Sequence, residues 1–563
     1  MLISGAKTSG TLSQHSLTVE YTANPVWYAV QSLPYLMEFP YECAEQTFSR
    51  FYANALATAI ANSNPGIKKV WEQWKNVDSS ALLSNLQKNE ELKSALLQET
   101  PWVMEARSES QQKTNLGLLF NIARMNNEMK SSLSKLAEAQ LSNGGFSWFK
   151  GGRDDRYITQ VILAGLGKLE RLNAIHGYEA VDGMTTSAIN YADKRLADEY
   201  NALKKSKIDL KKNNLSFLDI QYLYTRSFYA RYPLAKGSET ALAYYKSQAK
   251  QFWLSQNRYM QGMIALALFR SGDVKTAKAI LASLKENSVF NEELGRYFKD
   301  NRGGYYWQQA PIETQSLLIE AFSEISKDEK TVNELKTWLL KQKQTNHWSS
   351  TKSTADACYA LLLKGTKWQE NPAIAEILMN GRPILNTSGK DGLGYAKTII
   401  NANEVKPDLG NITVNVRSAN TTSQPGPSWG TVYWQYFENL DKITAAVTPL
   451  SLVKKLFIET NTNKGPLLNP VGSGTQLRVG DKIKVRIELR VDRDMEYMHL
   501  KDMRASSMEP LNVLSGYKWQ GGLGYYESTR DAATNFFFFS GSVSFWAFLR
   551  FSSIDLCRLF SSI

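Results

Sequence analysis

The sequence predicts a multidomain chain in which a long helical block lies between β-sandwich modules. Three features point that way. At 563 residues the chain is longer than one compact domain holds. Between about residues 25 and 370 apolar side chains recur at helical spacing, interrupted by corners of similar composition. Before and after that stretch the period drops to two, the pattern of half-buried strands.

Taken in order, residues 1–24 contain Leu12, Leu17, Val19 and Tyr21, which predict one strand of a flanking β-domain. Residues 25–370 form the helical domain. Its first clear helix runs from Thr47, with Phe48, Phe51, Tyr52, Ala55, Leu56, Ala59 and Ile60 on one stripe, and stops before Asn64-Pro65-Gly66. Three later segments share one form, a Gly or aromatic corner, a polar patch and a periodic helix. The corners are 143–148, 301–307 and 346–350, and the helices 157–169, 312–322 and 354–363. Helices over 261–269 and 274–284 meet at Ser271-Gly272-Asp273, with Asp273 as the N-cap. Such irregular helix pairs stack. Closing about six of them gives an α/α toroid, and leaving them open gives an α-solenoid.

Residues 371–447 predict a β-sandwich domain with strands at 412–416 and 431–437. Residues 448–539 predict a second one, with strands at 452–460, 482–491 and 498–504. Residues 540–563 break the pattern, being rich in Phe and Ser without turn punctuation after Gly541. Arg550 and Asp555 interrupt them, so a membrane anchor is not indicated. We read them as an aberrant tail, from an altered reading frame beginning near the Phe run at 536–539, which leaves the last domain incomplete.

Composition excludes several function classes. Hydrophobic residues make up 43%, with 14 Trp, 27 Tyr and 23 Phe, enough for sizeable cores. The net charge of +12 is diffuse, and its densest stretch, 204–212, reads as a solvated face. No aromatic-interleaved or Gly-rich phosphate motif accompanies it, which argues against nucleic acid. Cys43, Cys358 and Cys557 are far apart and give no disulfide framework. The histidines (His15, His176, His347, His499) do not cluster with them, so neither a metal site nor a cysteine protease is indicated, and no cofactor is expected. The N-terminal residues lack the pattern of a signal peptide.

The functional reading rests on Cys43-Ala44-Glu45-Gln46. A thiol and a carboxamide three positions apart, on a bend before a helix, can react with each other. The sulfur displaces ammonia from the glutamine side chain and leaves an internal thioester, an acyl group stored for amines or hydroxyls. Such a bond survives only where water is kept out, and Phe39 and Tyr41 are the expected shields. The helix N-terminus is expected to lower the free thiol's pKa. The plain alternative is an inert, packed cysteine.

The longer string Pro40-Tyr41-Glu42-Cys43-Ala44-Glu45-Gln46, extended upstream by Met37-Glu38-Phe39, resembles the thioester motif of the alpha-2-macroglobulin and complement superfamily, in its bacterial alpha-2-macroglobulin branch. Glu42 stands where the family usually has glycine. The resemblance implies an α/α-toroid thioester domain at 25–370, flanked by a β-domain completed by strands from both sides of the toroid, with a macroglobulin-like domain following. It implies a peptidase inhibitor rather than an enzyme, a covalent trap whose thioester acylates a lysine of the target protease. Cys43 would be the leaving thiol, Gln46 the acyl carrier, and Glu45 part of the motif's loop. The setting implied is periplasm, cell envelope or extracellular space, with the bait segment and any membrane association lying upstream of Met1. In complement-like relatives a histidine assists transfer to hydroxyls. The matching loop, 144–157, has none, so slower transfer to amines is expected.

Two other classes remain. Toroids also host carbohydrate-active enzymes, and Asp154, Asp155 and Glu313 follow aromatic corners where an acid and a base would pair. The same acids also suit helix starts. The other class is a non-catalytic surface scaffold.

Overall fold

The computed structural model describes residues 10–22, 26–63, 122–175, 179–292, 294–304, 306–343, 347–363, 373–386, 395–418, 428–439, 442, 450–491, 495–520, 523–541, 547–550 and 554–555. The chain divides into two compact units. Among the described residues, the first holds the helices and the strands up to residue 443, and the second holds the strands that follow.

Twelve α-helices fall among the described residues: α1 Val26–Met37, α2 Ala44–Ser63, α3 Ile122–Ala139, α4 Arg156–Arg171, α5 Glu179–Lys205, α6 Phe217–Arg226, α7 Glu239–Phe252, α8 Arg258–Arg270, α9 Val274–Glu286, α10 Pro311–Ala321, α11 Glu329–Lys341 and α12 Thr351–Leu362. The even-numbered helices touch in a circuit. It runs from α2 to α4, α6, α8, α10 and α12, and α12 packs back on α2. Each odd-numbered helix packs against one or two of these. Burial follows the same division. In α4 nearly every residue from Arg156 to Leu169 is buried, whereas α9 buries only Ala277, Ile280, Leu281 and Leu284. A helix packed on all sides loses its amphipathic stripe, and one packed on a single side keeps it.

The repeated corners have a common hydrogen-bond plan. Asp155 and Ser350 are the N-caps of α4 and α12. One turn on, the hydroxyls of Thr159 and Thr354 donate to those caps' carbonyls and accept the amides of Phe146 and Trp348. That pins a buried aromatic corner to each inner helix start. Gly144 holds φ +89°, and a Cβ there would meet the Ser187 carbonyl at 2.2 Å, so the first corner requires glycine. At the opposite end of the inner helices, Glu320 and Glu324 bind Arg270, and Glu324 binds Arg171. These arginines lie in the last turns of α8 and α4, where cations suit the helix dipole.

Strand β1 (Ser13–Thr22) precedes the helices, and the hairpin β2 (Val289–Asn291) and β3 (Gly295–Tyr297) interrupts them. After them come β4 (Ala373–Met379), β5 (Arg382–Asn386), β6 (Tyr395–Asn401), β7 (Ile412–Ser418) and β8 (Trp429–Phe437). One sheet has the order β6-β1-β8 and the other β5-β4-β7. β1 is central, with Leu17 opposite Ile400 on one side and Trp434 on the other. Leu17, Val19 and Tyr21 pack with Ala375, Ile377 and Ile400 into a shared core.

The second unit contains β9 (Leu450–Thr462), β10 (Gly465–Pro470), β11 (Lys482–Val491), β12 (Met495–Met503), β13 (Glu509–Pro510), β14 (Gly516–Gln520), β15 (Leu523–Thr529), β16 (Ala533–Gly541), β17 (Ala547–Arg550) and β18 (Ile554–Asp555). One sheet is built around β10-β9-β11 and the other has the order β12-β16-β15-β14. Alternate residues of β11, Ile483, Val485, Ile487 and Leu489, pack with Tyr525, Phe536 and Phe538. The Phe run thus lies inside a sheet, and β16 continues to Gly541. Of the tail beyond it, only β17 and β18 are among the described residues, both paired with β11. Among the described residues no helix is long and apolar enough to cross a membrane.

Candidate thioester site

Cys43 sits at the start of α2, where the Thr47 amide donates to its carbonyl at 2.9 Å. The helix thus begins at Ala44, earlier than the apolar stripe from Thr47 indicates. One hydrogen bond across the turn accompanies the early start. The Cys43 amide donates to Gln46 Oε1 at 3.3 Å. This is the return half of a capping box, with glutamine as the third residue. It holds the Gln46 carboxamide against the Cys43 backbone within one turn. The signal for it, a short polar side chain followed three residues later by Gln, was present in the sequence.

Neighbouring elements fix this turn. The Ala44 amide, an orphan donor of the first helical turn, donates to the Trp148 carbonyl at 2.9 Å. Arg50 donates to the Phe39 carbonyl at 2.7 Å and to the Glu42 carboxylate at 3.3 Å. Lys135 of α3 reaches the same carboxylate at 2.6 Å. Lys135 and Arg50 hold the Glu42 carboxyl below its usual range. The residue standing in place of glycine is thereby an anchor of the loop.

Glu45 turns inward. Its oxygens accept from Ser49 Oγ at 2.8 Å and from Thr351 Oγ1 at 2.8 and 3.1 Å. Beyond it, Asp356 binds Lys168 at 2.5 Å and Lys352 at 3.0 Å. Lys352 also donates to the Tyr259 hydroxyl at 3.2 Å. Burial pushes the Glu45 carboxyl up, its two hydroxyl partners opposing. Burial opposes the Asp356 charge too, but the two lysines outweigh it and hold that carboxyl down to about 2. Glu45, Lys168, Lys352 and Asp356, with Tyr52 and Gln221, line a narrow cavity between the inner helices.

Three observations bear on the sequence reading of the site. First, the Cys43 thiol is raised rather than lowered, because burial outweighs the amides of Gln46 and Glu45 that favour the thiolate. Second, among the described residues Tyr41 is 67% exposed and meets the edge of the Phe39 ring, centres 5.7 Å apart. Phe39 is half-buried, and Cys43 itself is 8% exposed. Third, Trp148 was missed as a site residue. It caps α2 through its carbonyl and stacks on Tyr157, on which Trp307 also stacks at 4.7 Å.

The acids of the carbohydrate-enzyme alternative have structural partners. Asp155 caps α4, and Asp154 accepts from the Tyr191 hydroxyl at 2.6 Å and pairs with Arg195. Glu313 lies in the first turn of α10, facing Lys352. Of the histidines, His347 stacks on Tyr35 at 3.7 Å, His15 packs on Phe437 and His499 on Phe537. His176 lies outside the described residues.

Residues 450–545 match the family model of the bacterial alpha-2-macroglobulin MG10 domain. No curated protein matches the chain. Among similar solved structures is native alpha-2-macroglobulin from Escherichia coli, spanning domain MG7 to the C-terminus. It has 13% identity over 98% of this chain and 74% of that one, with a TM-score of 0.37. Trypsin-activated alpha-2-macroglobulin from Escherichia coli has 15% identity over 97% of this chain and 34% of that one, at 0.39. Salmonella alpha-2-macroglobulin reacted with methylamine has 13% identity over 98% and 30%, at 0.37. The chain therefore spans about a third of the length of the last two. Residues 450–545 of the chain are thus similar to an MG10 domain of the bacterial alpha-2-macroglobulins.

Proposed function

We propose that this chain is the thioester-bearing portion of a covalent peptidase trap. The observation that carries the reading is the hydrogen bond from the Cys43 amide to the Gln46 carboxamide oxygen at the start of α2. Attack by the Cys43 thiolate on the Gln46 side-chain carbon forms the C–S bond, and ammonia leaves with the added proton. The Cys43 amide already points at the oxygen that becomes negative in that step. When a protease lysine attacks the thioester, an isopeptide bond forms and the C–S bond breaks. The sulfur departs with the electron pair and takes up the proton lost by the amine. Glu45 belongs to the same turn, and Phe39 is its apolar neighbour.

The helical domain is, in this reading, an α/α toroid, which the closing contact of α12 on α2 supports. With no histidine in the 144–157 loop, amines are the favoured acceptors over hydroxyls. The site of action is the periplasm, the cell envelope or the extracellular space, and the partners are proteases.

Methylamine tests the proposal. The native chain should weigh one ammonia less than its sequence, and methylamine should add one amine. Alkylation in denaturant should find two thiols before treatment and all three cysteines after it. Cys43→Ala should abolish both changes. A wild-type chain of unmodified mass, indifferent to methylamine, refutes the trap and leaves Cys43 a packed thiol.

A further inference from the structure

The thioester turn lies where the circuit of inner helices closes, since α2 is its first member and α12 its last. The corner before α12 touches the motif on both flanks. Upstream, His347 stacks on Tyr35 with planes 9° apart, and Tyr35 meets Phe39 edge-on at 5.4 Å. Downstream, Thr351, the first residue of α12, donates to both oxygens of Glu45. Thr351 is 5% exposed, and the corner is set by Ser350 as N-cap and by the buried Trp348, whose indole donates to the Leu339 carbonyl. A buried carboxylate on an adjacent helix is thus satisfied by a hydroxyl carried on a rigid corner.

We propose that the 347–351 corner is a latch over the thioester turn, with Glu45 and Thr351 as its positioning residues. This rests on the thioester reading and adds to it a means of regulation. While Thr351 holds Glu45, the first turn of α2 stays closed and Gln46 stays over Cys43. When the corner withdraws, the Glu45 carboxylate loses the hydroxyl that bonds it across the seam, water reaches the turn, and the stored acyl group becomes reactive. Neither residue touches the acyl carbon, so both act through the position of Gln46. Ser49, the other partner of Glu45, lies on α2 itself and does not cross the seam.

The test is the hydrolysis rate of the thioester in the full chain, followed as methylamine-reactive mass well below the melting temperature. Thr351→Val should raise the rate about tenfold, the effect of losing one hydrogen bond to a charged group, while Thr351→Ser should restore it. Glu45→Gln should accelerate hydrolysis in the same direction, and Ser49→Ala by less. Asp273→Ala removes the α9 cap and so destabilises the same unit away from the seam. It should leave the rate at the wild-type value even where its melting temperature falls as far as that of Thr351→Val. Equal rates in Thr351→Val and wild type overturn the latch, as does equal acceleration in Asp273→Ala. A wild-type chain with no methylamine uptake is a different result, since it removes the thioester itself.

Discussion

Replacing Asp356 by alanine probes the charge cluster that underlies the site. Its carboxylate lies 2.5 Å from Lys168 Nζ and 3.0 Å from Lys352 Nζ, and all three side chains are largely out of water. Alanine strands two ammonium groups, and breaking such a buried pair costs about 3–5 kcal/mol. The acid's own titration gives a value of the same order. A fall from 3.8 to about 2 corresponds to about 2 kcal/mol at 1.36 kcal/mol per pH unit. Because the folded-state pKa is depressed, that contribution is complete above the ordinary carboxylate range and is lost as the pH falls through about 2. Native-state hydrogen exchange resolved to α4 and α12 is the assay of choice, since the chain has two units and a single melting curve would mix them. Asp356→Ala should lower protection there near neutral pH, with the gap to wild type closing in strong acid. The triple change Lys168→Met, Lys352→Met, Asp356→Leu should recover most of the loss. A cost under about 1 kcal/mol at pH 7, or a gap unchanged in acid, refutes the assignment of stability to this cluster.

Other outcomes follow from single contacts. A Cβ at Gly165 would lie 2.2 Å from the Phe48 ring, so Gly165→Ala should destabilise the helical unit by about 1–3 kcal/mol despite its better helix propensity, read by urea unfolding. Cys358 is fully buried, donates to the Ala29 carbonyl, and burial pushes its thiol up to about 12; it should resist iodoacetamide at pH 8 in the native chain, as peptide mapping would show. Ser350→Ala removes the N-cap of α12 and should cost about 1 kcal/mol, measured by hydrogen exchange in that helix. In the second unit, Ile487→Ala opens its core and should cost about 2–5 kcal/mol in urea unfolding of that unit.

The parts of the fold legible in the sequence are those whose burial is periodic. α9 shows its stripe at 277, 280, 281 and 284, and β11 its alternation from Ile483 to Leu489, because each buries one face against one neighbour. The β2–β3 hairpin was not legible, since strands of three residues are too short to establish a period. At the site, Cys43 and Gln46 were readable because they interact within one turn. The Thr351–Glu45 bond spans 306 positions and leaves no local trace. The thiol's shift was misjudged for a related reason. The helix N-terminus can be read from sequence, but the burial that outweighs it comes from distant packing. Tyr41 shows the same limit, because a loop side chain's direction is set by what the loop is tied to, here Arg50 and Lys135.

The central place of β1 has a consequence for biosynthesis. Ser16 bonds to Gln435, a partner 419 positions later, and Leu17, Val19 and Tyr21 have no completed sheet until β6 and β8 emerge. At about 5–20 residues per second, the ribosome needs roughly 20–80 s to supply that partner. The nascent chain must therefore carry a lone apolar strand while the helices between fold, and anything that sequesters such edges should raise the yield of folded protein.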